Sequence, residues 1–179
     1  MKNLYFLCVF IIFLSGCQVL SFDRYPGDAQ SEFPEKLRGK YINTSIDKTD
    51  TITLLITKNQ FIAYDKKDQH GGKLNEGRVY STFKGHNYYF YKEDDYWMGF
   101  EFEKKRKKIY ITPIGIPHTV DSSSAMLLLN NYFVGVKKLN AGSGIEGNYY
   151  ARMDELALIK YSKKLKNHNI KFIQVKTNE

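Results

Sequence analysis

The stretch YWMGFEFEKKRKKIYITPI, Tyr96 to Ile114, decides the fold. Tyr96, Met98, Phe100 and Phe102 alternate with Trp97, Gly99, Glu101 and Glu103. A period of two is that of a strand with one face turned to a core. Five cations in a row, Lys104 to Lys108, interrupt the pattern. The chain then returns as IYITPI, residues 109–114, rich in β-branched and aromatic side chains. A strand, a charged turn and a second strand read as a hairpin.

The same grammar continues toward the N-terminus. Gly39-Lys40-Tyr41-Ile42 opens a first strand, and TITLLIT (51–57) followed by Asn59-Gln60 and FIAYD (61–65) reads as a hairpin. KKDQHGG (66–72) reads as a polar loop. GRVYSTF (77–83), Lys84-Gly85 and HNYYFYK (86–92) read as a second hairpin, closed before Tyr96 by Glu93-Asp94-Asp95. Short links between successive strands favour an antiparallel meander, here about seven strands over residues 38–114.

The character changes after Pro113 and Pro117. Residues 123–130 read as a short helix capped from Ser122–Ser124, with a strand from Tyr132 onward. Asp154 is a candidate N-cap for a second helix, with Glu155 in its first turn, a stripe of Leu158, Tyr161 and Leu165, and Lys163, Lys164 and Lys166 at its end. IKFIQV (170–175) is a final strand. The fold class is α+β, a mainly antiparallel β-meander, barrel or sandwich, with a C-terminal helix and a final strand.

The first residues are MKNLYFLCVFIIFLSGC. Leu4 to Leu14 is wholly apolar, too short for a membrane span of roughly 20 residues and proportioned like a secretory leader. Leu14-Ser15-Gly16-Cys17 resembles the lipobox of bacterial lipoproteins. That resemblance implies cleavage before Cys17, a diacylglyceryl thioether on its sulfur and a membrane anchor. Gln18 does not resemble the aspartate that retains such proteins at an inner membrane. The outer membrane is therefore the expected site where a cell has two. The organisation expected is a leader over 1–16, the lipidated Cys17 and a tether over 17–32, and one β-rich domain over 33–179. Cys8 leaves with the leader, so no disulfide is expected. Gly39-Lys40-Tyr41 ahead of a meander resembles the opening of lipocalin-like barrels, which close eight strands around a cavity.

The formal net charge is +8, with 14 Tyr and 12 Phe among 179 residues. Lys104, Lys105, Arg106, Lys107 and Lys108 are a candidate contact for an anionic membrane surface or envelope polymer. Trp97, Tyr89 and Tyr91 are candidate stacking residues for a flat ligand. Nucleic acid is not expected as a partner outside the cytoplasm, whereas another envelope protein is.

GSGIEG (142–147) matches the spacing of a dinucleotide-binding turn, but the next helix starts some six residues late and no strand-helix alternation surrounds it. It reads as a turn, and no cofactor is expected. His70, His86, His118 and His168 are scattered, without metal-ligand spacing, so no metal is expected either. Asp121-Ser-Ser-Ser-Ala125 carries no nucleophile frame. Glu101 and Glu103 share a strand face, which admits glycoside hydrolysis as a weaker alternative. The first expectation is a lipid-anchored, non-enzymatic binding or structural module of the cell envelope. A carrier holding an apolar ligand inside the strands is its alternative.

Overall fold

The computed structural model describes residues 18–43, 51–65, 69–75, 77–117, 119–139 and 148–175. The strands are β1 (Gln18–Phe22), β2 (Asp28–Gln30), β3 (Gly39–Asn43), β4 (Ile52–Ile56), β5 (Gln60–Tyr64), β6 (Gln69–Lys73), β7 (Arg78–Phe83), β8 (His86–Glu93), β9 (Tyr96–Lys105), β10 (Lys108–Pro113), β11 (Gly115–Ile116), β12 (Lys137–Lys138), β13 (Tyr149–Ala151) and β14 (Ile170–Val175). Two helices, α1 (Ser122–Asn130) and α2 (Glu155–Leu165), complete the elements used below. The strands join into one mostly antiparallel sheet that curls into a half-barrel.

The expected hairpins form. β7 and β8 pair from Phe83↔His86 to Arg78↔Tyr91 around Lys84-Gly85. Both turn residues adopt positive φ, 47° and 81°, which suits a tight hairpin between right-twisted strands. β9 and β10 pair from Pro113↔Phe100 to Lys108↔Lys105, leaving Arg106 and Lys107 as the turn. The meander runs as two stretches, β3–β6 and β7–β10, with no pairing between β6 and β7 among the described residues, and β14 lies between β3 and β10. The chain's last strand thereby joins the two halves of the sheet.

Side-chain alternation creates two cores. The concave face carries Tyr41, Leu54, Phe61, Tyr80, Tyr89, Phe100, Phe102, Ile109 and Phe172, closed over by Phe33 and Leu37. Its rings touch one another: Phe61 lies 4.7 Å from Tyr89 and 5.2 Å from Phe100, and Phe33 lies 4.8 Å from Tyr80. The convex face carries Tyr88 and Phe90, covered by Leu20 and Phe22 of β1, by Tyr149 and Ala151 of β13, and by the apolar sides of both helices.

Four expectations about the strands are corrected. Residues 18–32 are not a tether: β1 is a sheet strand whose Leu20 and Phe22 are fully buried, and β2 pairs with β7. The apolar side chains of QVLSF find partners far along the chain, at β13 in parallel and at β11 in antiparallel register. The polar run ending at Gly72 is not all loop, because β6 pairs with β5 along its whole length. Gly71 there has φ +104°, and a Cβ on it would stand 2.1 Å from the Phe61 carbonyl oxygen, so only glycine fits. No strand starts at Tyr132. Phe133 turns into the convex core, Gly135 takes φ +66°, and only Lys137–Lys138 pair, with β13. Glu101, read as part of a solvent-facing strand side, is 5% exposed because the convex side of β9 is covered as well.

The second helix starts at Asp154 as expected, whereas the first is capped by Asp121 and not from Ser122–Ser124, because the carboxylate reaches the free backbone N–H groups of the first turn. The Asp121 carboxylate accepts from Ser124 N at 2.9 Å, and that of Asp154 accepts from Ala157 N at 2.9 Å. Hydrogen bonds from Ser123 and Ser124 hold Asp121 down at about 2, below its ordinary value.

Candidate functional site

A surface cleft of about 300 Å³ opens beside the β9–β10 turn. Its walls are Lys36 and Leu37 from the turn before β3, His86 and Asn87 from β8, Glu101 to Lys104 from β9, and Lys166 just after α2. The sheet itself creates the opening. The pairing of β8 with β9 runs only as far as Asn87↔Phe102, while β9 continues to Lys105 against β10. Among the described residues, the last three of β9 therefore have a strand neighbour on one side only.

Alternation along β9 sorts the charges of the cleft. Glu101 and Glu103 stand on the convex side and Lys104 on the concave side. Glu101 Oε1 lies 2.6 Å from His86 Nδ1. Either group can donate across this contact, the imidazole to a carboxylate or a protonated carboxyl to the ring nitrogen. The second Glu101 oxygen is buried without a hydrogen bond. The His86 ring stacks on Tyr88 at 6.2 Å, and the burial of that phenol raises its pKa. Glu103 is held by Lys105 at 2.9 Å and by Lys166 at 3.5 Å. The hydrogen bond from Lys105 is the main cause that keeps its carboxyl below the ordinary value.

The five-cation run is not one uniform patch. Lys104 folds inward: its ammonium donates to Tyr41 Oη at 2.8 Å and Gln174 Oε1 at 2.9 Å, and stands 4.4 Å from the Tyr41 ring centre. Burial lowers its pKa. Lys105, Arg106, Lys107 and Lys108 are exposed at the turn, with Lys105 directly opposite Lys108. The cleft adds Lys36 and Lys166, which are exposed and far from the run in sequence.

The three expected stacking residues are not brought together. Tyr89 is 2% exposed within the concave core, and Tyr91 packs against the same core. Trp97 packs against the convex core and meets Tyr25 edge-on at 5.0 Å. Trp97 also stands eight residues from Lys105 along β9, about 26 Å of strand, so the tryptophan and the cationic turn are not one surface. Sequence reasoning missed His86 as a partner of Glu101 and Lys36 and Lys166 as cleft residues. The signal for His86 was available: it is diagonal to Glu101, two residues from the cross-strand neighbour Tyr88.

No group of three or more potential metal ligands clusters among the described residues, and no helix there is long and apolar enough to cross a membrane. Cys17, His118 and GSGIEG lie outside the described residues. No protein-family model, no curated protein and no solved structure matches the chain.

Proposed function

We propose that the protein is a lipid-anchored, non-enzymatic binding module of the bacterial cell envelope that engages an anionic envelope polymer at its β9–β10 end. Anchoring rests on the lipobox-like residues Leu14 to Cys17. Binding rests on one observation above all: the cleft and the turn bring Lys36, Lys166 and Lys105 to Lys108 to one end of the sheet. Only Glu101 and Glu103 among the cleft residues are acidic, and each already faces a basic partner. An extended polyanion running past the open side of β9 would meet mostly cations.

Gln18, the residue after the proposed anchor, pairs with Ile116 of β11 and not with the β9–β10 turn. The aromatic filling of the concave face supports this reading over that of a carrier, which needs a ligand-sized hollow there.

The test has two parts. Cys17→Ser should release the protein from the membrane fraction and abolish acyl labelling. Binding to a poly(glycerol phosphate) probe should weaken steeply with salt, and Lys107→Glu with Lys108→Glu should weaken it about tenfold at low salt. Binding that ignored both salt and charge reversal would refute the polyanion site. The weaker glycoside-hydrolase reading draws on the bare Glu101 oxygen. It requires turnover of a glycoside that Glu101→Gln abolishes.

A further inference from the structure

α1 is an unusual surface helix. Its sequence is SSSAMLLLN, without a charge after the Asp121 cap. Ala125 and Leu129 face the convex core, Met126 and Leu128 are half-buried, and Leu127 points outward at 68% exposure. A helix that is apolar on nearly every side is normally enclosed, and this one is not. The segment after it repeats the feature. Phe133 is buried, while its neighbour Val134 is 68% exposed.

The helix and the segment after it follow β1 from its first residue to its last. The Gln18 amide donates to Ser122 Oγ at 2.8 Å, so the first residue of the strand touches the first residue of the helix. At the other end Phe133 meets the Phe22 ring at 5.5 Å. α1 and its following turn thus lie along β1. Cations border the apolar pair. Lys137 and Lys138 are exposed, and Lys138 is level with Tyr149, which is level with Leu20. Arg152 is exposed and donates its backbone N–H to the Val134 carbonyl. No acidic residue occurs from 122 to 139.

We infer that this face, Leu127 and Val134 bordered by Lys137, Lys138 and Arg152, rests in the headgroup region of an anionic bilayer. The inference builds on the reading of Cys17 as the lipid-bearing residue. With no tether, that residue is one peptide unit, about 3.8 Å, from Gln18. Acyl chains there hold the bilayer against the α1 end of the molecule. Apolar side chains with lysines and an arginine around them match an interface of hydrocarbon below and anionic headgroups above.

A single-label quenching experiment tests this. Once the leader is removed, the sole native cysteine is acylated, so an introduced thiol is unique. The full chain would be purified from membranes as Leu127→Cys, Val134→Cys and, at the β9–β10 turn, Lys107→Cys. Each would carry an environment-sensitive dye and be reconstituted into phosphatidylglycerol–phosphatidylethanolamine vesicles containing shallow spin-labelled lipid. Dyes at 127 and 134 should be quenched at least twofold more than the dye at 107. Leu127→Asp should reduce the quenching at 134 while leaving circular dichroism unchanged. Equal quenching at all three sites in chains that float with the vesicles would overturn the inference and leave the anchor standing. Failure to float would overturn the anchor and the inference with it. Disulfide cross-linking of Leu127→Cys chains into a dimer in detergent would assign the face to a second copy and overturn the bilayer.

Discussion

At the scale of single residues, the chemistry of the cleft turns on which groups satisfy Glu101 and Glu103. Glu101 is buried, and His86 Nδ1 lies 2.6 Å from its carboxyl oxygen. His86→Ala should therefore cost about 1–3 kcal/mol of unfolding free energy in denaturant titration, the cost of stranding a buried acceptor. Glu103 behaves differently, because its carboxyl is held below the ordinary value of 4.5 by Lys105 and then Lys166. A depressed carboxyl contributes stability that is complete above 4.5 and is lost as pH falls through the lower folded value. The stability gap between wild type and Glu103→Gln should thus be present at neutral pH and vanish in acid. A gap independent of pH would contradict the pairing. The candidate site was only partly legible from these residues. Alternation along β9 identified the shared face of the two glutamates. It carried no information on what covers that face, since α2 and Lys166 reach it from sixty residues further on.

At the scale of elements, β1 is the departure from expectation that matters most. Its five residues form no hairpin of their own, and their partners at β13 lie about 130 residues away, so no local pattern marks them. Leu20→Ala should cost about 2–5 kcal/mol, because a fully buried leucine leaves a cavity. In a tether the same change would cost nothing measurable. Where turn chemistry and alternation acted together, the elements were readable: Lys84-Gly85 set the β7–β8 register, and the cations at 105–108 set that of β9 and β10. β14 was readable as a strand from IKFIQV, but its place between β3 and β10 was not. Pairing that closes a loop of this length is chosen by the concave core, through Phe172, rather than by neighbours in sequence.

At the scale of the whole molecule, two cores share one sheet, and tyrosine supplies much of both. Burial pushes Tyr41 and Tyr80 up to about 12, and it raises Tyr88, Tyr89 and Tyr91 as well. Raised phenols favour the fold fully below their ordinary value of 10.0 and cease to do so as pH rises through the folded values. An ultraviolet phenolate titration should show exposed tyrosines ionising smoothly, then a sharp step near pH 12 that coincides with unfolding. The same two-core architecture brings β1 to the surface at Gln18 beside α1, and the proposed function depends on the proposed lipid on the residue before it. The most direct measurement is the mass of the N-terminal tryptic peptide of the chain recovered from membranes. The account predicts CQVLSFDR, Cys17 to Arg24, bearing a diacylglyceryl group. An unmodified peptide, or one that still carries residues preceding Cys17, would contradict it.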